Sequence, residues 1–166
     1  MASSSDASQH QDPLRRLESL VARLRDPDQG CPWDLEQTHQ SLTPYVLEEA
    51  HEVADAIRHG DDEHLREELG DLLLQVVLHA RIAGERSRFD LNDVATGISE
   101  KLIRRHPHVF AGAKVSDSTA VRVSWEAIKA SERAEARGST SSASPLSDQL
   151  ADKVRGQPAL AGAMTI

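Results

Sequence analysis

The 166-residue chain carries 19 Lys and Arg against 27 Asp and Glu, a formal net charge of −8, and only 3% of its residues are aromatic. That length holds one domain with a real core plus tails, and the negative balance argues against binding a nucleic-acid polymer or an anionic membrane surface. A single Cys31 excludes an internal disulfide, and with neither a signal-peptide pattern nor an apolar run of bilayer length the expectation is a soluble, cytoplasmic protein.

Residues 1–12, MASSSDASQHQD, are small and polar and are expected to form a disordered tail. Pro13 then suits a first helical turn, Leu14, Leu17, Val21 and Leu24 recur at helical spacing, and Pro27 ends the run. DQGCPWD is a tight connection, after which Asp34 is placed to cap a short helix through about Ser41. The next helix starts at Pro44 and breaks at Gly60, where Asp61 or Asp62 caps its successor. That successor, about 62–85, is apolar on most of its circumference between Leu72 and Leu78, as befits the centre of a domain or an oligomer interface. Asp90 is placed to cap a helix with the stripe Leu91, Val94, Ile98 and Leu102, which Pro107 stops, and a last helix runs from about Ser118 to Ala136. Residues 137–166 read as a flexible linker and tail. With no strand-like alternation and no solenoid repeat, the pattern predicts an all-α bundle of five or six helices over 13–136 that oligomerises through its central helices.

One short stretch, VLEEAHEV at 46–53, sets three carboxylates against what reads as a core-facing helix. Advancing about 100° per residue puts Val46, Ala50, Val53 and Ile57 on one face, with Glu49 roughly 60° and Glu52 roughly 120° to the same side, and Glu48 pointing nearly away. On the following helix, relative to Leu65, Leu69, Leu72 and Val76, Glu68 and Asp71 fall at the same two offsets. A lone E-E-x-x-E usually reads as solvated surface charge. Two matched acidic pairs on successive helices read differently: if the helices pack across Gly60, four carboxylates converge and repel unless protons or a cation neutralise them. All-oxygen ligands favour Mg²⁺, or Mn²⁺ in its place, over Zn²⁺.

With these acidic pairs, the blocks GCPWDLEQTHQSL, PYVLEEAHEVADAI, LREELGDLLLQVVLHARIA, RFDLNDVATGISEKLIRRHPHVF and WEAIKASER resemble the MazG-type nucleoside triphosphate pyrophosphohydrolases in order and wording, over roughly Leu14 to Arg133. The acidic motif is shared with dimeric dUTPases and phosphoribosyl-ATP pyrophosphatases; CPWD and KLIRRHPHVF single out MazG. The resemblance implies an all-α catalytic domain, a homodimer or higher homo-oligomer, and hydrolysis of NTPs or dNTPs to the monophosphate and pyrophosphate, as nucleotide-pool house-cleaning requires. It implies Glu49, Glu52, Glu68 and Asp71 as Mg²⁺ ligands, with the metal activating water for attack at the α-phosphorus and Glu48 orienting or deprotonating that water. Lys101 and Arg105, at i, i+4 and joined by Arg104, suit phosphate contacts, although cations at a helix C-terminus also serve the dipole. Trp125 and Lys129, again i, i+4, suit a base and a phosphate respectively, with Trp125 equally readable as core, and Tyr45 is a further candidate for ligand contact. His51, His79, His106 and His108 show no metal-ligand spacing with Cys31 and read as packing or hydrogen-bonding groups. Many members of that family are longer, with a second copy of the domain or a further C-terminal region. The alternative function is a catalytically weak or inactive helical oligomer that binds metal or nucleotide as a regulatory or structural module.

Overall fold

The computed structural model describes residues 12–138, so the N-terminal tail and C-terminal linker lie almost wholly outside the described residues. Seven helices and no strand occur among the described residues: α1 (Pro13–Leu24), α2 (Pro32–Glu36), α3 (Thr43–His59), α4 (Asp62–Gly84), α5 (Leu91–Arg105), α6 (Pro107–Phe110) and α7 (Ser118–Gly138). None of them is long and apolar enough to cross a membrane. The chain divides into two compact units, Met1–Glu100 and Lys101–Ile166.

The first unit is built around α4, against which α3 and α1 pack. Local chemistry sets the helix ends. Asp12 accepts from the Leu14 N–H at 2.9 Å and Pro13 opens α1. Gly60 ends α3 in the left-handed region at φ 69°, and Asp61 accepts from the Glu63 and His64 N–H groups at 3.1 Å each to begin α4. A connection this short makes α3 and α4 an antiparallel hairpin. Val21 of α1, Leu42 before α3, and Val77, Leu78 and Ile82 of α4 form the buried cluster, with Leu17, Leu74 and Leu91 packed against it.

Two short helices differ from expectation. α2 starts at Pro32 with Cys31 as its N-cap, so Asp34 sits in its first turn, and the helix stops at Glu36 instead of reaching Ser41. The reason is local: Thr38 and Ser41 exchange side-chain to backbone hydrogen bonds at 2.9 and 3.1 Å, and Ser41 Oγ also donates to Gln37 Oε1 at 2.7 Å, which offers the backbone an alternative to helix. Pro107 does end α5, and it also opens α6, a further one-turn helix, because proline suits a first helical position.

Arg25, 6% exposed, ties the first unit together. Its Nε and Nη2 donate to Glu85 Oε1 and Oε2 at 2.8 Å each, and its Nη1 donates to the carbonyl oxygens of Asp34 and Gln37. One guanidinium thus closes the end of α1, the end of α2 and the end of α4 on each other.

A second cross-link joins His39 to His79 of α4. The rings lie within 2° of parallel, and their Nδ1 atoms are 2.8 Å apart, edge to edge. Arg88 Nη2 donates to His39 Nε2 at 2.6 Å, so the His39 proton is on Nδ1 and is donated to His79. Both imidazoles are held below their ordinary 6.5, His39 by burial and then by Arg88, Arg86 and Arg25, His79 by burial and then by His39. A base with a lowered folded pKa binds its proton more readily in the unfolded chain. The stability it contributes is therefore present above its ordinary pKa and lost as the pH falls below it. Thermal melts should show a lower Tm at about pH 5.5 than at about pH 7.5, and a smaller drop in His79→Phe, which fills the position without a titrating group; equal drops would contradict this assignment.

In the second unit the Asp117 side chain accepts from the Ala120 N–H at 2.9 Å at the start of α7. His106 Nδ1 lies 2.7 Å from the Leu102 carbonyl oxygen, and its ring meets Trp125 of α7 edge-on at 4.8 Å between centroids.

Candidate metal centre

The packing of α3 on α4 corrects the expected core faces. The inward stripe of α3 is Val46, Glu49, Val53 and Ala56, and that of α4 is Leu65, Glu68, Leu72, Gln75 and His79. Both are rotated by roughly 50° from the purely apolar stripes. Ala50 is exposed, as are Ile57 at 60%, Leu69 at 49% and Val76 at 40%. Glu49 and Glu68 therefore lie within the helix contact, not at its edge. The physical reason is that α4 is apolar on most of its circumference between Leu72 and Leu78, so two faces compete for α3, and the packed one is the face that carries the acids.

Glu49, Glu68 and Asp71 each offer a carboxylate oxygen within 4.8 Å of the other two. Glu49 and Glu68 are half-buried and Asp71 is exposed. The Glu49 carboxyl is pushed above its ordinary 4.5 by burial first, then by Asp71, Glu52, Glu68 and Glu48. Glu52 is pushed up as well, by local desolvation, by Glu68 and Glu48, and by a hydrogen bond it shares with Glu68. Glu48, exposed on the neighbouring face of α3, reaches both through its charge. Among the described residues Glu68 pairs with one basic group, His64 Nε2 at 2.8 Å. Among the described residues no Lys or Arg pairs with Glu49, Glu52 or Asp71.

This arrangement passes a chemical test for a hard divalent cation. The donors are all oxygen, they lie close enough to share one ion, and their mutual repulsion raises proton affinity in the way that a bound cation would relieve. Gln75, one turn beyond Asp71 and 7% exposed, leaves its Oε1 without a partner among the described residues. In the sequence it lies inside the apolar run Leu72–Leu78, where spacing gives it no signal of its own.

Tyr45, also in the first unit, is partly exposed and meets Trp33 edge-on at 5.8 Å between centroids. The remaining sequence candidates lie in the second unit. Lys101 and Arg104 are exposed, and Arg105 is half-buried with its guanidinium carbon 5.7 Å from the Trp125 ring centroid. Arg104 and Arg105 both bind Glu132, and Lys129 lies 3.6 Å from Glu126. Glu132 was not singled out from sequence, although its i, i+4, i+7 relation to Lys129 and Trp125 places all three on one face of α7.

Comparison with known proteins connects this geometry to a family. Residues 37–110 match the model of the MazG nucleotide pyrophosphohydrolase domain. The chain is 54% identical over 122 residues to a nucleoside triphosphate pyrophosphohydrolase of Escherichia coli, covering 74% of this chain and 46% of that protein. It is 49% identical over 127 residues to a nucleoside triphosphate pyrophosphohydrolase/pyrophosphatase MazG of Thermotoga maritima, covering 76% and 48% respectively. The chain thus spans about half the length of these curated relatives. The crystal structure of a mazG-related protein from Thermotoga maritima superimposes with a TM-score of 0.57 at 30% identity, covering 69% of this chain and 96% of that one.

Proposed function

The chain belongs to the MazG nucleotide pyrophosphohydrolase family, and from that premise we propose that it is a divalent-metal-dependent hydrolase that releases pyrophosphate from nucleoside triphosphates. The observation that carries this reading is the convergence of Glu49, Glu68 and Asp71 within 4.8 Å on two packed helices. Glu49, Glu52, Glu68 and Asp71 would hold Mg²⁺, or Mn²⁺ in its place. When bound, the ion supplies countercharge to the triphosphate and Lewis acidity at the phosphoryl group. The chain's own groups do the rest. Glu48 is close enough to the cluster to share its field, yet exposed, and so is suited to orient a water molecule and accept its proton. Lys101, Arg104, Arg105 and Lys129 are proposed as phosphate contacts, with Trp125 and Tyr45 as contacts to the remainder of the nucleotide.

The uncovered apolar stripe of Leu69, Leu73 and Val76 on α4, with Ile57 on α3, supports a homodimer or higher homo-oligomer. A cytoplasmic role in clearing unwanted nucleotides follows as part of the same proposal. A pyrophosphate-release screen over the standard and several damaged NTPs and dNTPs, with Mg²⁺ and with Mn²⁺, tests it. Release that EDTA abolishes is the expected result. Nucleotide-dependent thermal stabilisation without turnover of any nucleotide would overturn the enzymatic reading in favour of a binding module.

A further inference from the structure

Arg104 and Arg105 are consecutive, so on a helix their side chains leave the axis about 100° apart. In the second unit they nonetheless meet on one carboxylate. Arg104 Nε donates to Glu132 Oε1 at 2.6 Å, and Arg105 Nε and Nη2 donate to Glu132 Oε2 at 3.0 and 2.6 Å. Two guanidiniums repel each other, and Glu132 supplies the charge that holds them together. Its arginines depress its own pKa from 4.5 to about 2, so it stays ionised at any physiological pH. The contacts consume Nε of both arginines and Nη2 of Arg105. Both Nη groups of Arg104 and Nη1 of Arg105 have no protein acceptor among the described residues. Arg105 is further restrained by the face of Trp125, which His106 meets edge-on.

We propose that Glu132 is a positioning residue, which clamps Arg104 and Arg105 into a two-guanidinium fork whose unengaged Nη groups bind a phosphoryl oxyanion. The inference rests on the proposed reading of these arginines as phosphate contacts, and adds the residue that makes them act together. A carboxylate bridge leaves the pair with a net single positive charge and three N–H-bearing nitrogens, which suits the planar, multidentate recognition of phosphate by guanidinium.

Calorimetric binding of inorganic pyrophosphate to the full chain in EDTA reads this fork without a metal. Wild type is expected to bind, and Glu132→Gln to bind about tenfold more weakly, with thermal melts reporting whether the fold is kept. In an Arg104→Ala background, Glu132→Gln should add little, because the side chain it positions is already gone. Glu132→Asp, too short to span both guanidiniums, should fall between wild type and Glu132→Gln, and carries the test if the amide variant does not fold. Absence of pyrophosphate binding by wild type overturns the proposal. So does wild-type or tighter affinity in Glu132→Gln, or unaltered affinity in Glu132→Asp. If wild type binds and the variants weaken as described while no nucleotide in the release screen is hydrolysed, the fork stands and the proposed enzymatic function fails.

Discussion

Glu68→Gln is expected to lower metal-dependent pyrophosphate release by about 100-fold or more while leaving the helical fold in place. Glu68 lies within 4.8 Å of both Glu49 and Asp71 through its carboxylate oxygen, and it raises the pKa of Glu49 and of Glu52. Removing its charge therefore weakens the whole donor set, not one contact. Stability should move the other way. Glu49 has a folded pKa above its ordinary 4.5, so the metal-free protein gains stability as the pH falls through that raised value, and an amide imitates the protonated form. Metal-free Glu49→Gln is accordingly expected to melt at or above the wild-type temperature while its turnover is lost. Steady-state release assays beside melts in EDTA check both halves; a variant that loses activity and stability together would mean that the carboxylates serve the fold and not a cation.

The largest effect on stability is expected at Arg25. Arg25→Ala removes two of the three side-chain hydrogen bonds to Glu85, leaving that from Arg81 Nε at 3.2 Å, strands the Asp34 and Gln37 carbonyl oxygens, and opens a cavity where three helix ends meet. Breaking a buried charged pair on one side costs about 3–5 kcal/mol, and partial solvation of Glu85, 29% exposed, argues for about 3 kcal/mol here. That corresponds to a fall in Tm of about 10 °C or more. Glu85 has a folded pKa below 4.5 because of Arg25, so the pair's contribution is present above that value and is lost as the pH falls through the depressed one. Denaturant unfolding of Arg25→Ala at neutral pH measures the cost. A loss below about 1 kcal/mol, the range of exposed ion pairs, would show that Arg25 is not the tie described.

Those helices whose ends are set by proline, glycine and aspartate were legible in the sequence: Pro13, Gly60 and Asp61 act where their backbone chemistry places them. The acidic pairs were legible too, because their spacing is local to each helix. The facing of α3 against α4 was not. Hydrophobic periodicity ranks faces by apolarity, and it pointed to the stripe with Leu69 and Val76, which a single chain leaves exposed. The early end of α2 was not either, because Thr38 and Ser41 bind the backbone more favourably outside a helix. Arg25 with Glu85, and His39 with His79, are 60 and 40 residues apart, and no spacing rule joins such positions. Glu132 was within reach, since Trp125, Lys129 and Glu132 share a helical face, but only its contact with two adjacent arginines gives it a role.

Whether Glu49, Glu52, Glu68 and Asp71 hold a divalent cation decides between a metal-dependent hydrolase and a helical module. Titration of Mn²⁺ into the metal-free full chain, followed by electron paramagnetic resonance, measures this directly. Saturable binding in wild type that is lost in the Glu49→Gln/Glu68→Gln double variant is the predicted result; equal binding by both proteins, or none by wild type, would contradict it.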